Sequence, residues 1–440
     1  MSRIRARWWG PERRSMALVG GPLILLMVIL DVLVQPQTLR AAAEGYWNSV
    51  AETANSTIWL VCPLAAAVAA WDIATLRVAG VLRHPSTRPA TAIMGRSLVS
   101  ALVSGLLGLA LSWVLVLPRA VGGPTGVDLV ILAVAPLIVA ASVLVGGALS
   151  LVLPARLAPP VVMIGTWCWF AMPQSFQPFW LRHLNGYEGG CCDAGSQVTL
   201  PAALAPGLVA VGLGAWAVTL AASRIALWHR APTVVAVGAL VTGVLCAGVG
   251  LGVAVAMVQD YGNYPVVART GATVCSTDSE VRVCVWPEHA QDLPAMQEAV
   301  LTARNRLAAV GYRVPDTASE SSRDGTLWRI VASAGATEDR DLALNSAVSG
   351  LANTWVGEGL LQDCDSPEVQ DAWPDHFVAA DWLATAVGLP TEPTGEDPTV
   401  SAAARALAGL PTDQQATWVA TAITRMQAAC SASATVSGAP

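Results

Sequence analysis

The chain has 440 residues, 54% of them hydrophobic and only 13% charged, with a formal net charge of −6. All 25 basic residues are arginine. Without lysine there can be no P-loop, whose Lys must reach the phosphates, and no Schiff-base chemistry, which needs a Lys amine. Any nucleotide hydrolysis must therefore come from a partner.

Seven apolar stretches fill the first 258 residues: Met16–Val34, Ser56–Trp71, Leu98–Leu117, Leu129–Leu153, Leu157–Met172, Leu200–Ala222 and Val234–Val258. Most reach the ~20 residues needed to cross a hydrocarbon core. Strict alternation from an inside N-terminus puts Arg3, Arg5, Arg7, Arg13, Arg14, Arg77, Arg83, Arg88, Arg96, Arg156, Arg224 and Arg230 inside. Only Arg40, Arg119 and Arg182 fall in the outer loops. Cytoplasmic loops carry the excess of basic residues, so the N-terminus is expected inside and the segment after the last span outside. The first span has too long an apolar run, and lacks the small-x-small site, of a cleaved leader; it reads as an anchor.

Gly and Pro recur inside the spans, as at Gly20, Gly21, Pro22, Pro63, Gly105, Gly108 and Pro136. Small residues let helices approach closely in lipid. Three acids lie near span ends: Asp31, Asp72 and Asp128. An ionisable group in a membrane raises a functional question, but these lie close enough to an interface to snorkel, so anchoring is expected of them. The longest inner loop is Asp72–Gly95, helix-compatible at its front and closed by Pro85 and Pro89. The longest outer loop, Pro173–Thr199, carries Phe176, Phe179, Trp180 and Leu184 around Arg182 and His183. That pattern suits a short helix lying at the membrane interface.

The chain changes character near residue 260. In 261–440 the acids outnumber the arginines about two to one, which argues against binding nucleic acid or anionic lipid. The segment is long enough for its own core. Val274-Cys275 and Val281–Trp286 read as strands, Pro294–Val310 as an amphipathic helix stopped by Gly311, and Thr326–Ala332 as a strand. Four helical stretches follow: Asp339–Leu361, Asp375–Val387, Thr399–Leu407 and Asp413–Ala429. Asp375 and Asp413 suit N-caps and Gly388 a stop.

Cys62, Cys168 and Cys246 lie in spans. Cys191 and Cys192 lie in the outer loop, where they pair elsewhere or stay reduced. Cys275, Cys284, Cys364 and Cys430 lie in the tail and allow three pairings. Cys275–Cys284, which would close a hairpin, and Cys364–Cys430, which would tie the last helix to the middle of the domain, are favoured; a metal site would need closely spaced ligand pairs that are absent. No H-E-x-x-H or G-x-S-x-G occurs, so no catalytic role, cofactor or metal is expected. Glu288-His289 and Asp375-His376 read as a capping acid beside a surface histidine at two helix starts.

The inner-loop stretch Trp71…Arg77…Arg83…Ser86-Thr87-Arg88-Pro89, together with the span pattern, resembles the permease subunits of type-2 ABC exporters, and is similar to what actinobacterial members carry there. The resemblance covers roughly residues 1–230. It implies six spans, a coupling helix between spans two and three, and re-entrant helices between spans five and six. It implies further that Asp72, Arg77, Arg83 and Arg88 dock on a separately encoded ABC-type ATPase, and that two permease halves, identical or different, form the pathway. Residues 231–260, a seventh span, and 261–440, an acidic outer domain, depart from that plan.

The expected fold is an α-helical polytopic bundle of about seven spans, N-terminus inside, plus a mainly helical α+β extracytoplasmic domain. The expected place is the bacterial plasma membrane. The expected function is export of an amphipathic or hydrophobic compound such as a peptide, antibiotic or lipid. The competing expectation is a non-transporting sensor or assembly factor acting through its outer domain.

Overall fold

The computed structural model describes residues 15–34, 45–83, 87–187, 194–262, 265–276, 280–321, 327–331, 339–352, 367–389 and 398–436. The chain forms two compact units. The first comprises 1–42, 47–191 and 198–261, and the second 43–46, 192–197 and 262–440.

The first unit is built from α1 (Ala17–Val34), α2 (Trp47–Asn55), α3 (Ile58–Val78), α4 (Ala90–Val116), α5 (Gly126–Leu149), α6 (Ala158–Ala171), α7 (Leu200–Trp228) and α8 (Thr233–Val258). Among the described residues, six stretches are long and apolar enough to cross a bilayer: α1, α2 with α3, α4, α5, α7 and α8. The protein is thus a helical polytopic membrane protein. Two boundaries differ from the hydropathy reading. The second crossing begins at Trp47 and runs on to Val78, and the third begins at Ala90.

The fifth apolar stretch is too short to span by itself, so six helices and not seven are long enough among the described residues. Helix α6 has only 14 residues, about 21 Å of rise, against the ~30 Å of a hydrocarbon core. Pro159 and Pro160 fit its first turn, where N–H groups have no helical partner. Pro173 cannot continue it, and the chain passes into 3-10 turns at Met172–Ser175 and Phe179–Leu184.

Helix directions follow from which glycines face which neighbours. Gly21 faces Ser104 and Gly108 faces Ile24, so α1 and α4 run parallel. Gly105 faces Ala65 and Gly108 faces Val61, so α3 runs against them. Asn55 bonds the Ile131 carbonyl while Gly146 faces Ala66, so α3 and α5 run parallel. Gly207 faces Val134 and Gly214 faces Leu144, so α7 runs with α5. Gly212 faces the Cys246-Ala247 backbone and Gly250 the Leu208 carbonyl, so α8 runs against α7. Helix α6 opposes α3: Val162 packs on Ala66 and Ala70, and Arg77 Nη2 bonds the Leu153 carbonyl at 2.7 Å. Two parallel helices, α5 and α7, need a return between them. The short α6 and the segment 172–187 make it.

Asp128 does more than anchor at an interface. It is 1% exposed, forms a capping box with Thr125 at the start of α5, and accepts from Asn48 Nδ2 at 2.9 Å. Asn48 Oδ1 accepts in turn from the Val198 N–H at 3.0 Å. Asn55 donates to the Ile131 carbonyl (2.8 Å) and accepts from Trp113 Nε1 (2.8 Å). In hydrocarbon such groups must find partners within the protein.

The second unit carries a four-stranded sheet of β1 (Val274–Cys275), β2 (Arg282–Val285), β3 (Thr317–Ser319) and β4 (Trp328–Arg329), in that order. β1 and β2 are antiparallel, with Cys275 opposite Cys284. β2, β3 and β4 are parallel, with Val283 opposite Ala318 and Ala318 opposite Trp328. Helix α9 (Leu293–Ala309) is the crossover between β2 and β3, as a parallel pair requires. The helices α10 (Arg340–Ala352), α11 (Pro367–Ala386), α12 (Pro398–Ala408) and α13 (Thr412–Val436) complete it. The core joins Val283, Val285, Met296, Val300, Leu307 and Trp328. Gly350 lies on the Arg329 backbone, where a Cβ would collide, so α10 packs directly on β4. Gly311 ends α9 with φ +82, as its position suggested.

Some sequence expectations for this unit are corrected. β3 was not foreseen. Asp375 is not an N-cap, since α11 begins at Pro367 and contains Pro374; Asp375 instead pairs with Arg425 at 2.5 Å. Asp413 lies in the first turn of α13, not at its cap.

A side chain at Gly146 would meet the Ala66 backbone, whereas one at Gly248 meets nothing within 4 Å. Gly146→Val should lower stability by about 1–3 kcal/mol or prevent assembly, while Gly248→Ala should be neutral. Thermal melts of the detergent-solubilised protein test the pair.

Candidate functional site

The interrupted fifth crossing opens a cavity in the first unit, about 330 Å³ in volume, between α5, α6 and α7. Val145 and Leu149, Val161 and Trp169, and Ala210 and Leu213 are among its walls, and Leu184 and Asn185 close one end. None of the lining residues is charged. Several backbone groups around it are bonded by side chains of the irregular segment. Asn185 Nδ2 donates to the Trp169 carbonyl (3.0 Å), and its Oδ1 accepts from the Tyr187 N–H (2.8 Å). Gln174 Nε2 donates to the Tyr187 carbonyl (2.7 Å), and Arg182 Nη2 to the Gln174 carbonyl (2.9 Å).

The interfacial residues expected in this loop fall on the 3-10 turn Phe179–Leu184. The Arg182 guanidinium lies 5.0 Å from the Phe179 ring centre. Phe179 and Trp180 are half-buried. His183 is fully buried, edge-on to Tyr261. The segment is therefore packed into the bundle, and the asparagine that organises it was not singled out from the sequence. A polar residue between apolar neighbours, Leu184 and the glycine turn at 186, is the signal that marks it.

The residues assigned to ATPase coupling are spread from the last turns of α3 to the approach to α4, and they are engaged within the chain. Asp72 accepts from the Ser15 hydroxyl (2.5 Å) and the Met16 N–H (3.0 Å). It thereby supplies an acceptor to the N–H groups that open α1, which have no helical partner. Arg77 holds the Leu153 carbonyl, and Arg83 and Arg224 are near enough to repel it. Arg83 lies over the Trp228 ring at 5.0 Å, and His229 Nε2 is 3.2 Å from the Leu82 carbonyl. Arg88 is exposed. There is no separate coupling helix among the described residues of this loop, because Ile73–Val78 continue α3.

In the second unit, polar groups gather where β2 leaves the sheet. The Arg269 guanidinium lies 4.1 Å from the Tyr46 ring centre and 4.2 Å from that of Trp286. It pairs with Glu288 at 2.6 Å and donates to the Ala194 carbonyl at 2.9 Å. Glu320 accepts from the Trp286 N–H at 2.7 Å and lies 2.9 Å from His289 Nδ1. The reading of His289 and His376 as surface histidines is overturned: they are 1% and 5% exposed. Burial lowers the His376 pKa from 6.5 to about 4 and pushes the Tyr312 phenol up to about 12.

The Cys275–Cys284 disulfide is formed, and Cys62, Cys168 and Cys246 are free thiols. The Cys364–Cys430 pairing and the state of Cys191 and Cys192 lie outside the described residues. No group of three His, Cys, Asp or Glu residues able to hold a metal ion occurs among the described residues.

A family described as a domain of unknown function (DUF7224) matches residues 283–430, within the second unit. No curated protein and no solved structure matches the chain.

Two measurements probe the second unit. Arg269→Ala leaves the nearly buried Glu288 carboxylate without its cation, and should cost about 3–5 kcal/mol. Arg269→Lys should not rescue it, because an ammonium cannot stack between two rings as a guanidinium does. Chemical denaturation followed by tryptophan fluorescence reads both. The second measurement concerns pH. The unfolded chain takes up a proton on His376 near pH 6.5, whereas the folded protein resists until about pH 4. The stability held above about pH 6.5 should therefore fall by up to about 3 kcal/mol as pH drops towards 4, then level off. His376→Gln should lose that component when melts at pH 7 and 4.5 are compared.

Proposed function

We propose that this protein is a membrane-spanning subunit of an ABC-type exporter, driven by a separately encoded ATPase and acting on an amphipathic or hydrophobic compound. The observation that carries the reading is the fifth crossing. A helix too short to span, completed by an irregular segment whose backbone is bonded in part by side chains, is tolerated at membrane depth only where protein buries it or it lines a cavity. The resemblance to type-2 permeases implies re-entrant structure at this point in the chain. In this reading the arginine-rich ends, with the N-terminus, face the cytoplasm. The acidic second unit lies outside the cytoplasm, where its disulfide can persist. The membrane is the bacterial plasma membrane, and a second permease half completes the pathway.

One observation favours the other reading, a non-transporting protein acting through its outer unit. Asp72, Arg77 and Arg83, which the exporter reading assigns to an ATPase contact, are used within the bundle. Affinity purification from the native membrane separates the two. The exporter reading expects an ABC-type ATPase to co-purify, and to be lost on Arg88→Glu in protein that still inserts and folds. Purification of the intact chain without any ATPase would overturn it.

A further inference from the structure

The cavity beside α6 has the dimensions of a single hydrocarbon chain. From Ile138 to Leu149 it runs about 17 Å along α5, at about 1.5 Å per residue. Half of a hydrocarbon core is about 15 Å deep, so the slot spans about one leaflet. A volume of about 330 Å³ spread over about 17 Å leaves a mean cross-section of roughly 20 Å². A slot this long and narrow suits an extended chain better than a folded peptide. The volume is also at the low end of the roughly 300–1,000 Å³ of small-molecule sites.

The walls agree with such an occupant. They are almost entirely hydrocarbon, and the hydroxyl of Ser142, one of the few polar groups on them, already donates to the Ile138 carbonyl at 2.8 Å. The slot has no charged group to meet a cation, an acid or a peptide backbone. Its side is open: Val161 is 48% and the neighbouring Ile164 57% exposed. At Gly165, on the same wall, a side chain would meet nothing within 4 Å. The entrance therefore faces the lipid phase, and the occupant arrives from the bilayer.

We propose that the slot between α5, α6 and α7 is a binding site for one acyl chain of a membrane amphiphile. The chain lies along α5 between Ile138 and Leu149, with the end closed by Leu184 and Asn185 as its terminus. This goes beyond the exporter reading and stands without it, since the chain is bound whether or not it is moved.

The test uses the full-length protein in lipid nanodiscs containing a phospholipid with a mid-chain diazirine. After photolysis, adducts are mapped by mass spectrometry. The proposal expects labelling of Val145, Val161 and Ala210 to exceed, several-fold, that of Val241 and Leu245, which are exposed on α8. Gly165→Leu fills the slot and should reduce slot labelling several-fold while leaving α8 labelling unchanged. Gly165→Ala should leave both unchanged. If Gly165→Leu fails to insert, Gly165→Val takes its place. Equal labelling of slot and α8, or slot labelling indifferent to the filled variant, would mean annular lipid only and would overturn the proposal. Co-purification of an ATPase plays no part in this readout, so the two readings fail separately.

Discussion

In hydrocarbon no water is available to a free amide, so every backbone N–H and C=O must find its partner within the protein. A full-length helix meets that demand by itself. The fifth crossing of this chain does not, because α6 has 14 residues and the rest of the passage is irregular. Asn185, Gln174 and Arg182 supply several of the missing hydrogen bonds. This local solution has a wider consequence: it lets α5 and α7 run parallel as close neighbours and leaves a slot beside the shortened helix.

Close approach elsewhere rests on glycine. Gly105, Gly108 and Gly146 put α3, α4 and α5 in mutual contact, and Gly212 and Gly250 bring α7 and α8 together. Between lipid-soluble surfaces there is little hydrophobic gain in association, so packing and a few buried polar bonds decide the arrangement. The Asn48–Asp128 bond and the Asn55 bonds to Ile131 and Trp113 are of that kind. The second unit relies on a different economy, with a mixed sheet whose strands are two to four residues long. Its cohesion comes from helices packed on the sheet, from the Arg269–Glu288 ion pair and from the buried His289–Glu320 contact.

Much of this was legible from residue patterns, and the failures share a cause. Hydropathy locates the apolar helices because burial in lipid depends on local composition. The fifth run, Leu157–Met172, is helical almost throughout but too short to span by itself; the irregular segment that follows it, with Pro173 and Asn185, lies beyond the apolar run and has no period to mark it. The β2 and α9 elements followed from alternation and amphipathic spacing. β3 did not, since Thr317–Ser319 is polar and too short for a period, and only the parallel partners on both sides define it. Glu288-His289 looked like a surface cap because the partners Arg269 and Glu320 lie 19 and 31 residues away. Asp72 and Arg77 looked available to a partner protein because their own partners, Ser15 and Leu153, are 57 and 76 residues distant. Charge is visible in a sequence, but the contact that satisfies it is not.

With α5 and α7 parallel, the short fifth helix and the segment after it must carry the chain back across. Single cysteines at Gly123, Arg156 and Arg230, in a background where Cys191, Cys192, Cys364 and Cys430 are replaced by serine, can be probed with a membrane-impermeant maleimide on intact and opened cells. If the fifth passage crosses, positions 156 and 230 react from one face and position 123 from the other. If positions 156 and 230 react from opposite faces, the chain does not return between α5 and α7, and the account of this fold is wrong.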